Sequence, residues 1–151
     1  MFRGINSVTL DTKGRMAIPV RYRERLQAEA GGQVVATVDR ARCLLLYPLP
    51  EWEVVERKLV NLPSLNAHTR RLQGLLMGHA TDLELDSHGR VLLPPMLREF
   101  AELDRRVVLI GQGNKFELWD EERWNTRRDV WLAEDDGELT DLPQELESLS
   151  L

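Results

Sequence analysis

A ten-residue segment occurs twice in this chain. Leu10-Asp11-Thr12-Lys13-Gly14-Arg15-Met16-Ala17-Ile18-Pro19 returns 75 positions later as Leu85-Asp86-Ser87-His88-Gly89-Arg90-Val91-Leu92-Leu93-Pro94. Over positions 10–24 seven of fifteen residues are identical, adding Arg23/Arg98 and Glu24/Glu99 to the set, where average composition gives about one match by chance. The offset then slips to 72, with Leu46-Tyr47 facing Leu118-Trp119 and Trp52 facing Trp124. The chain is built on a duplicated unit of about 45 residues, and a unit that small is marginal alone. The two copies are therefore expected to interleave their hairpins and close one pseudo-symmetric barrel, which also removes open sheet edges.

Each unit reads as strand, turn, strand, helix, strand, strand. Val8 and Leu10 alternate with polar residues, and Asp11 to Gly14 forms a turn with glycine supplying the positive φ. Alternation resumes from Arg15 to Ile18, placing Met16 and Ile18 inward and Arg15 and Ala17 outward; Val91 and Leu93 point inward in the second copy. Pro19 ends the strand, a helix follows over Arg21 to Ala28 with Tyr22 and Leu26 on one face, and Gly31-Gly32 stops it. Strands at Val34 to Val38 and Leu44 to Tyr47 are matched by Val107 to Ile110 and Phe116 to Trp119. Helices are expected at Glu51 to Leu62, Asn66 to Met77 and Glu121 to Trp131, with Trp52 and Trp124 as core anchors. The boundaries are repeat 1 at 5–52, a helical connector at 53–80, repeat 2 at 81–124, and a helical extension with an acidic tail at 125–151.

The net charge of -5 argues at first against a polyanionic partner. Along the chain it divides. From Asp129 to Leu151 there are eight carboxylates and no Lys or Arg, so residues 1–128 hold twenty basic against seventeen acidic residues. Residues 1–29 carry +3 and the equivalent stretch 76–104 carries -4, with Lys13 replaced by His88, Arg21 by Met96 and Arg25 by Phe100. That asymmetry fits a first repeat that touches a polyanion and a second that completes the fold or makes subunit contacts. The tail is either a solvated segment or a shield that competes for the basic surface.

Asp-x-x-Gly-Arg between two strands admits two roles. Asp11 can accept hydrogen bonds from its turn while Arg15 pairs with it or packs along the sheet. Alternatively Arg15 projects toward phosphates or guanine edges, which suit a planar five-donor group. Other chemistry is not indicated. His68, His79 and His88 have no partners at metal-ligand spacing, Gly111-Gln112-Gly113 reads as a turn, and no nucleophile or Walker motif is framed. The expectation is a non-enzyme with no cofactor or small-molecule substrate. Cys43, within an apolar run, reads as a buried hydrophobe. Without an apolar run of about 18 residues or a signal-peptide core, the chain is expected in the cytoplasm and not at a membrane.

Met1-Phe2-Arg3-Gly4, Leu10 to Arg15, Pro19-Val20-Arg21-Tyr22-Arg23, Leu45-Leu46-Tyr47-Pro48, Leu75 to Ala80, Asp86 to Arg90 and Asn114 to Asp120 together resemble the MraZ family. The resemblance covers Met1 to about Trp131. It implies a mainly β chain with flanking helices (α+β), in which tandem SpoVT-AbrB-type repeats swap hairpins into a double-split β-barrel and subunits assemble into a ring. It further implies a sequence-specific regulator of transcription, usually a repressor, acting in the nucleoid on double-stranded promoter repeats of the bacterial division and cell-wall cluster that includes its own gene. Family DNA contact falls on Asp11 to Arg15, giving Lys13, Gly14 and Arg15 as site residues, with Arg3, Arg21, Arg23 and Arg25 available to phosphates. The runner-up is an antitoxin-like or scaffolding module that binds a protein.

Overall fold

The structure, a computed structural model, describes residues 1–134. Eight strands and five α-helices run in the order β1 (Phe2–Thr9), β2 (Arg15–Ala17), α1 (Val20–Ala30), β3 (Gln33–Val38), β4 (Leu44–Pro48), α2 (Leu49–Val60), α3 (Ala67–Leu72), β5 (Thr81–Glu84), β6 (Arg90–Leu92), α4 (Pro95–Phe100), β7 (Arg106–Gly113), β8 (Phe116–Asp120) and α5 (Glu121–Ala133). The first strand begins earlier than the alternation at Val8 suggests. The connector helix expected over Asn66 to Met77 breaks after α3 into a π-helical turn, Gln73–Met77. Gly78 allows that turn to close, because a Cβ there would meet the Gly74 carbonyl oxygen.

The strands form an antiparallel six-stranded sheet, β1-β7-β8-β4-β3-β5, and a separate pair, β2-β6. The ladder ends on β1 and β5. After Leu10, whose N–H reaches the Arg105 carbonyl at 2.7 Å, the Asp11–Gly14 turn redirects the chain into β2. The repeats do interleave. β1 of the first pairs along its length with β7 of the second, while β5 of the second pairs with β3 of the first. In β2-β6 Met16 faces Val91, its own equivalent, and in β4-β8 Leu45 faces Glu117, again its own equivalent. A pseudo-two-fold relation therefore passes through both pairs.

Alternation along the strands sorts side chains onto two faces. Val34, Ala36, Val38, Leu44, Leu46, Val107, Leu109, Phe116 and Leu118 point into the main core with Met16, Ile18, Tyr22, Leu26, Val91, Leu93 and Leu97. On the other face Val35, Leu45 and Tyr47 pack under α2, where Trp52 and Leu59 meet Leu72 and Leu76 of the connector. The Thr37 hydroxyl donates to the Leu76 carbonyl at 2.6 Å and fixes that connector to the sheet. Val108, Ile110 and Trp119 form the matching patch beneath α5 with Cys43. Cys43 is fully buried, and burial pushes its thiol pKa well up, as suits a core residue. Trp52 is a buried anchor; Trp124 is partly exposed and stacks on Trp119 at 5.9 Å. Among the described residues no helix is long and apolar enough to cross a membrane.

Candidate nucleic-acid interface

The Asp-x-x-Gly-Arg turns lie at the two ends of the β2-β6 pair. In the first, Asp11 Oδ1 accepts the Lys13 N–H at 2.9 Å and the Arg15 N–H at 2.8 Å, and Oδ2 accepts Arg15 Nε at 2.6 Å. In the second, Asp86 takes the N–H groups of His88 and Arg90 at 2.8 and 2.9 Å and Arg90 Nε at 2.9 Å. The structural role proposed for the motif is thus filled in both copies. Only the Nε edge of each guanidinium is used. Among the described residues the terminal nitrogens of Arg15 have no recorded partner, and its side chain stays about one-third open, at 32%. An arginine whose stem is already ordered loses less freedom when its free edge engages a second group.

The hydrogen bonds to each carboxylate, led by the Arg15 N–H at Asp11 and the Arg90 N–H at Asp86, lower both pKa values from 3.8 to about 2. A depressed carboxylate contributes stability above its unfolded pKa and loses it as pH falls through the folded value. The urea midpoint should therefore drop on acidification between about pH 4 and pH 2. A doubly substituted Asp11→Asn, Asp86→Asn chain should be less stable at neutral pH and flatter across that window. An undiminished acid slope in the double variant would refute this assignment.

Exchange of hairpins moves arginines between turns. Ile18 N–H donates to the Gly89 carbonyl at 2.9 Å and Leu93 N–H to the Gly14 carbonyl at 3.0 Å, so each turn lies against the other repeat. Arg23, one of the expected phosphate ligands, binds the Ile18 carbonyl through Nε at 2.6 Å and lies over Gly89 of the second turn. Arg98 does the converse, bonding the Leu93 carbonyl at 3.0 Å and covering Gly14 of the first. A Cβ on Gly14 would fall 2.7 Å from the Arg98 guanidinium, and Gly14 has φ +85°, so conformation and contact both call for glycine there.

Arg98 and Arg105, which sequence reasoning did not include, line a shallow depression with Thr9, Asp11 and Thr12. Lys13 lines another with Asp82 and Glu84 of β5. Arg3, Arg21 and Arg25 gather elsewhere, at the start of β1. Arg21 donates to Asn6 Oδ1 and lies 4.6 Å from the Tyr22 ring centroid, Arg25 lies 4.2 Å from that of Phe2 and pairs with Glu29 at 2.9 Å, and the Tyr22 hydroxyl donates to the Arg3 carbonyl. At about 3.3 Å per residue, Arg3 and Asp11 sit near opposite ends of a strand roughly 25 Å long. The expected site residues therefore fall into three places: Lys13, Gly14 and Arg15 at the first turn, Arg23 at the second, and Arg3, Arg21 and Arg25 at the far end of β1.

The chain matches, over residues 1–75 and 76–133, the family model described as "MraZ protein, putative antitoxin-like". The chain belongs to the MraZ family. Proteins named "Transcriptional regulator MraZ" from Halorhodospira halophila, Thioalkalivibrio sulfidiphilus and Coxiella burnetii are 59%, 58% and 56% identical to it, each aligned over the whole of both chains. The family membership expected from the residues is thereby shown. Within the MraZ fold, the two matched regions correspond to the two halves whose strands exchange.

Proposed function

We propose that this chain is a DNA-binding regulator of transcription and not an enzyme, and that Arg15 is its principal base contact. The observation that carries this reading is the Arg15 guanidinium, fixed through Nε by Asp11 with its terminal nitrogens turned to no recorded partner. That edge matches O6 and N7 of guanine in the major groove, while Lys13 and the backbone at Gly14 are placed for the flanking phosphates. The names of the full-length relatives support the regulatory role. Arg98 and Arg105 join the first turn as candidate phosphate ligands, and Arg3, Arg21 and Arg25 serve a separate stretch of backbone.

The finer parts of the proposal rest on the family resemblance. The two sheets act as a double-split barrel, and subunits form a ring whose turns engage successive promoter repeats. Simultaneous engagement raises affinity by about 10² to 10⁴ without new contacts. The protein works in the cytoplasm at the nucleoid, most simply as a repressor of the division and cell-wall cluster containing its own gene. Replacing Arg15 by Ala should weaken binding to the DNA upstream of that gene at fixed salt by about 5- to 150-fold, the equivalent of one bidentate base contact of about 1–3 kcal/mol. Unchanged affinity with unchanged assembly would sink the assignment. The family description also carries the word antitoxin, which favours a second reading, a module that binds a protein. Under that reading neither the wild-type chain nor the variant binds the upstream DNA.

A further inference from the structure

The outward face of the β2-β6 pair is small enough to name in full. Alternation sends Met16 and Val91 into the core, where both are buried to 1% or less, and leaves Arg15, Ala17, Arg90 and Leu92 outside. Arg15 stands opposite Leu92 and Ala17 opposite Arg90. Residues directly opposite in an antiparallel pair share one face, with Cβ atoms about 5 Å apart. Each guanidinium therefore has an aliphatic neighbour across the ribbon. The two neighbours differ, although Ala17 and Leu92 hold equivalent places in the repeat. Beside Arg90 it is a methyl group, whereas beside Arg15 it is a leucine that is 55% exposed.

Leu92 takes no part in the buried clusters, so packing does not account for its size. The depression that it lines also holds Lys13 and Arg98, with Asp82 and Glu84 on the side of β5. Among the described residues neither Lys13 nor Arg98 forms an ion pair. A large aliphatic side chain thus stands in water beside Arg15 and near two further cations. Such a surface suits a ligand that carries anionic oxygens, hydrogen-bond acceptors and an apolar group side by side. The major groove of DNA offers that combination. It admits a two-stranded β-ribbon, guanine presents O6 and N7 there, and thymine presents its C5-methyl group.

We propose that Leu92 is a specificity-determining residue of the interface and contacts the C5-methyl of a thymine next to the guanine that Arg15 reads. This inference rests on the DNA-binding role proposed for Arg15 and extends it across the exchange of hairpins. The first half supplies the guanidinium and the second half supplies the apolar contact. Because Ala17 holds the equivalent place beside Arg90, the two ends of the ribbon differ and its direction along the groove is set. The test uses the full chain and a duplex of the DNA upstream of its gene, with thymines replaced one at a time by deoxyuridine. That replacement removes the C5-methyl and keeps the base pair. At fixed salt one such replacement should weaken wild-type binding about three- to fivefold, the worth of one methyl group moved from water into apolar contact. Leu92→Ala should bind that duplex and its thymine parent equally, while Met96→Ala, at another exposed apolar position, should keep the difference. A wild-type chain indifferent to every replacement overturns the inference, as does a Leu92→Ala chain that keeps the difference or a Met96→Ala chain that loses it. The Arg15 reading survives those outcomes if Arg15→Ala still loses affinity. Failure of the wild type to bind the thymine duplex overturns both.

Discussion

Truncating Phe116 to Ala should lower the unfolding free energy by about 3–5 kcal/mol, the usual cost of removing a buried aromatic side chain. Phe116 is 2% exposed and belongs to the hairpin of the second repeat, yet its ring meets two aromatics of the first. Its centroid lies 4.3 Å from Phe2 on β1 and 4.9 Å from Tyr22 on α1, which are themselves 5.7 Å apart and nearly perpendicular. The positions equivalent to Phe116 and Tyr22 are Leu44 and Leu97, so this aromatic cluster exists on one side only. It locks the amino-terminal strand and helix onto the partner hairpin. A fall in urea midpoint with unchanged slope would report the loss. A change below about 1 kcal/mol would mean that the site collapses around the missing ring and that the cluster contributes little beyond area.

Gly111→Val should be comparably damaging for a different reason. Gly111 pairs with Gly4 in the β1-β7 register, and a Cβ on Gly111 would lie 2.5 Å from the Arg3 backbone nitrogen and 2.7 Å from its Cα. Those atoms belong to the main chain of a strand and cannot swing aside as a side chain does. The expected cost is at the upper end of the roughly 1–3 kcal/mol range for overpacking, or beyond it. Because β1 is an edge strand paired only to β7, the strain should release it, exposing the amides of residues 2–9 to exchange and disturbing the turn at Asp11 that it feeds. Gly74→Ala, at a position with open space and an ordinary backbone, should stay within about 0.5 kcal/mol of the wild type. If β1 amides remain protected in Gly111→Val, the close approach is softer than this geometry implies.

Much of the local structure was legible because its causes are local. Period-two alternation placed Met16, Ile18, Val91 and Leu93 inward, and all four are buried to 1% or less. Gly31 takes φ +60° and caps α1, its N–H reaching the Gln27 carbonyl at 3.0 Å, as the Gly31-Gly32 signal indicated. The pairing of turns with arginines was not legible, because it depends on which hairpin crosses which. Arg23 is eight residues from Arg15 in the chain, but Ile18 threads beside Gly89 and carries it to the other turn. Charge summed by stretch suffers the same way. The first turn is bordered by Arg98, Arg105, Asp82 and Glu84, none of them from the basic first 29 residues. The π-helical turn also escaped, since the apolar periodicity over Leu72, Leu75 and Leu76 does not distinguish it from an α-helix, and the close approach of Gly78 to the Gly74 carbonyl leaves no periodic signal. Beyond residue 134, the expectations for the acidic tail lie outside the described residues.

The partner of Phe2 in the sheet is Gly113. A ribosome adding about 5–20 residues per second must therefore release most of this chain before its first strand has anything to pair with. The pairings β1-β7 and β3-β5 each need a strand from both repeats, so β1 has no sheet partner through most of synthesis. A truncated product ending before β7 would leave β1 without the one strand it pairs with, so half of this chain is not half of a folded protein.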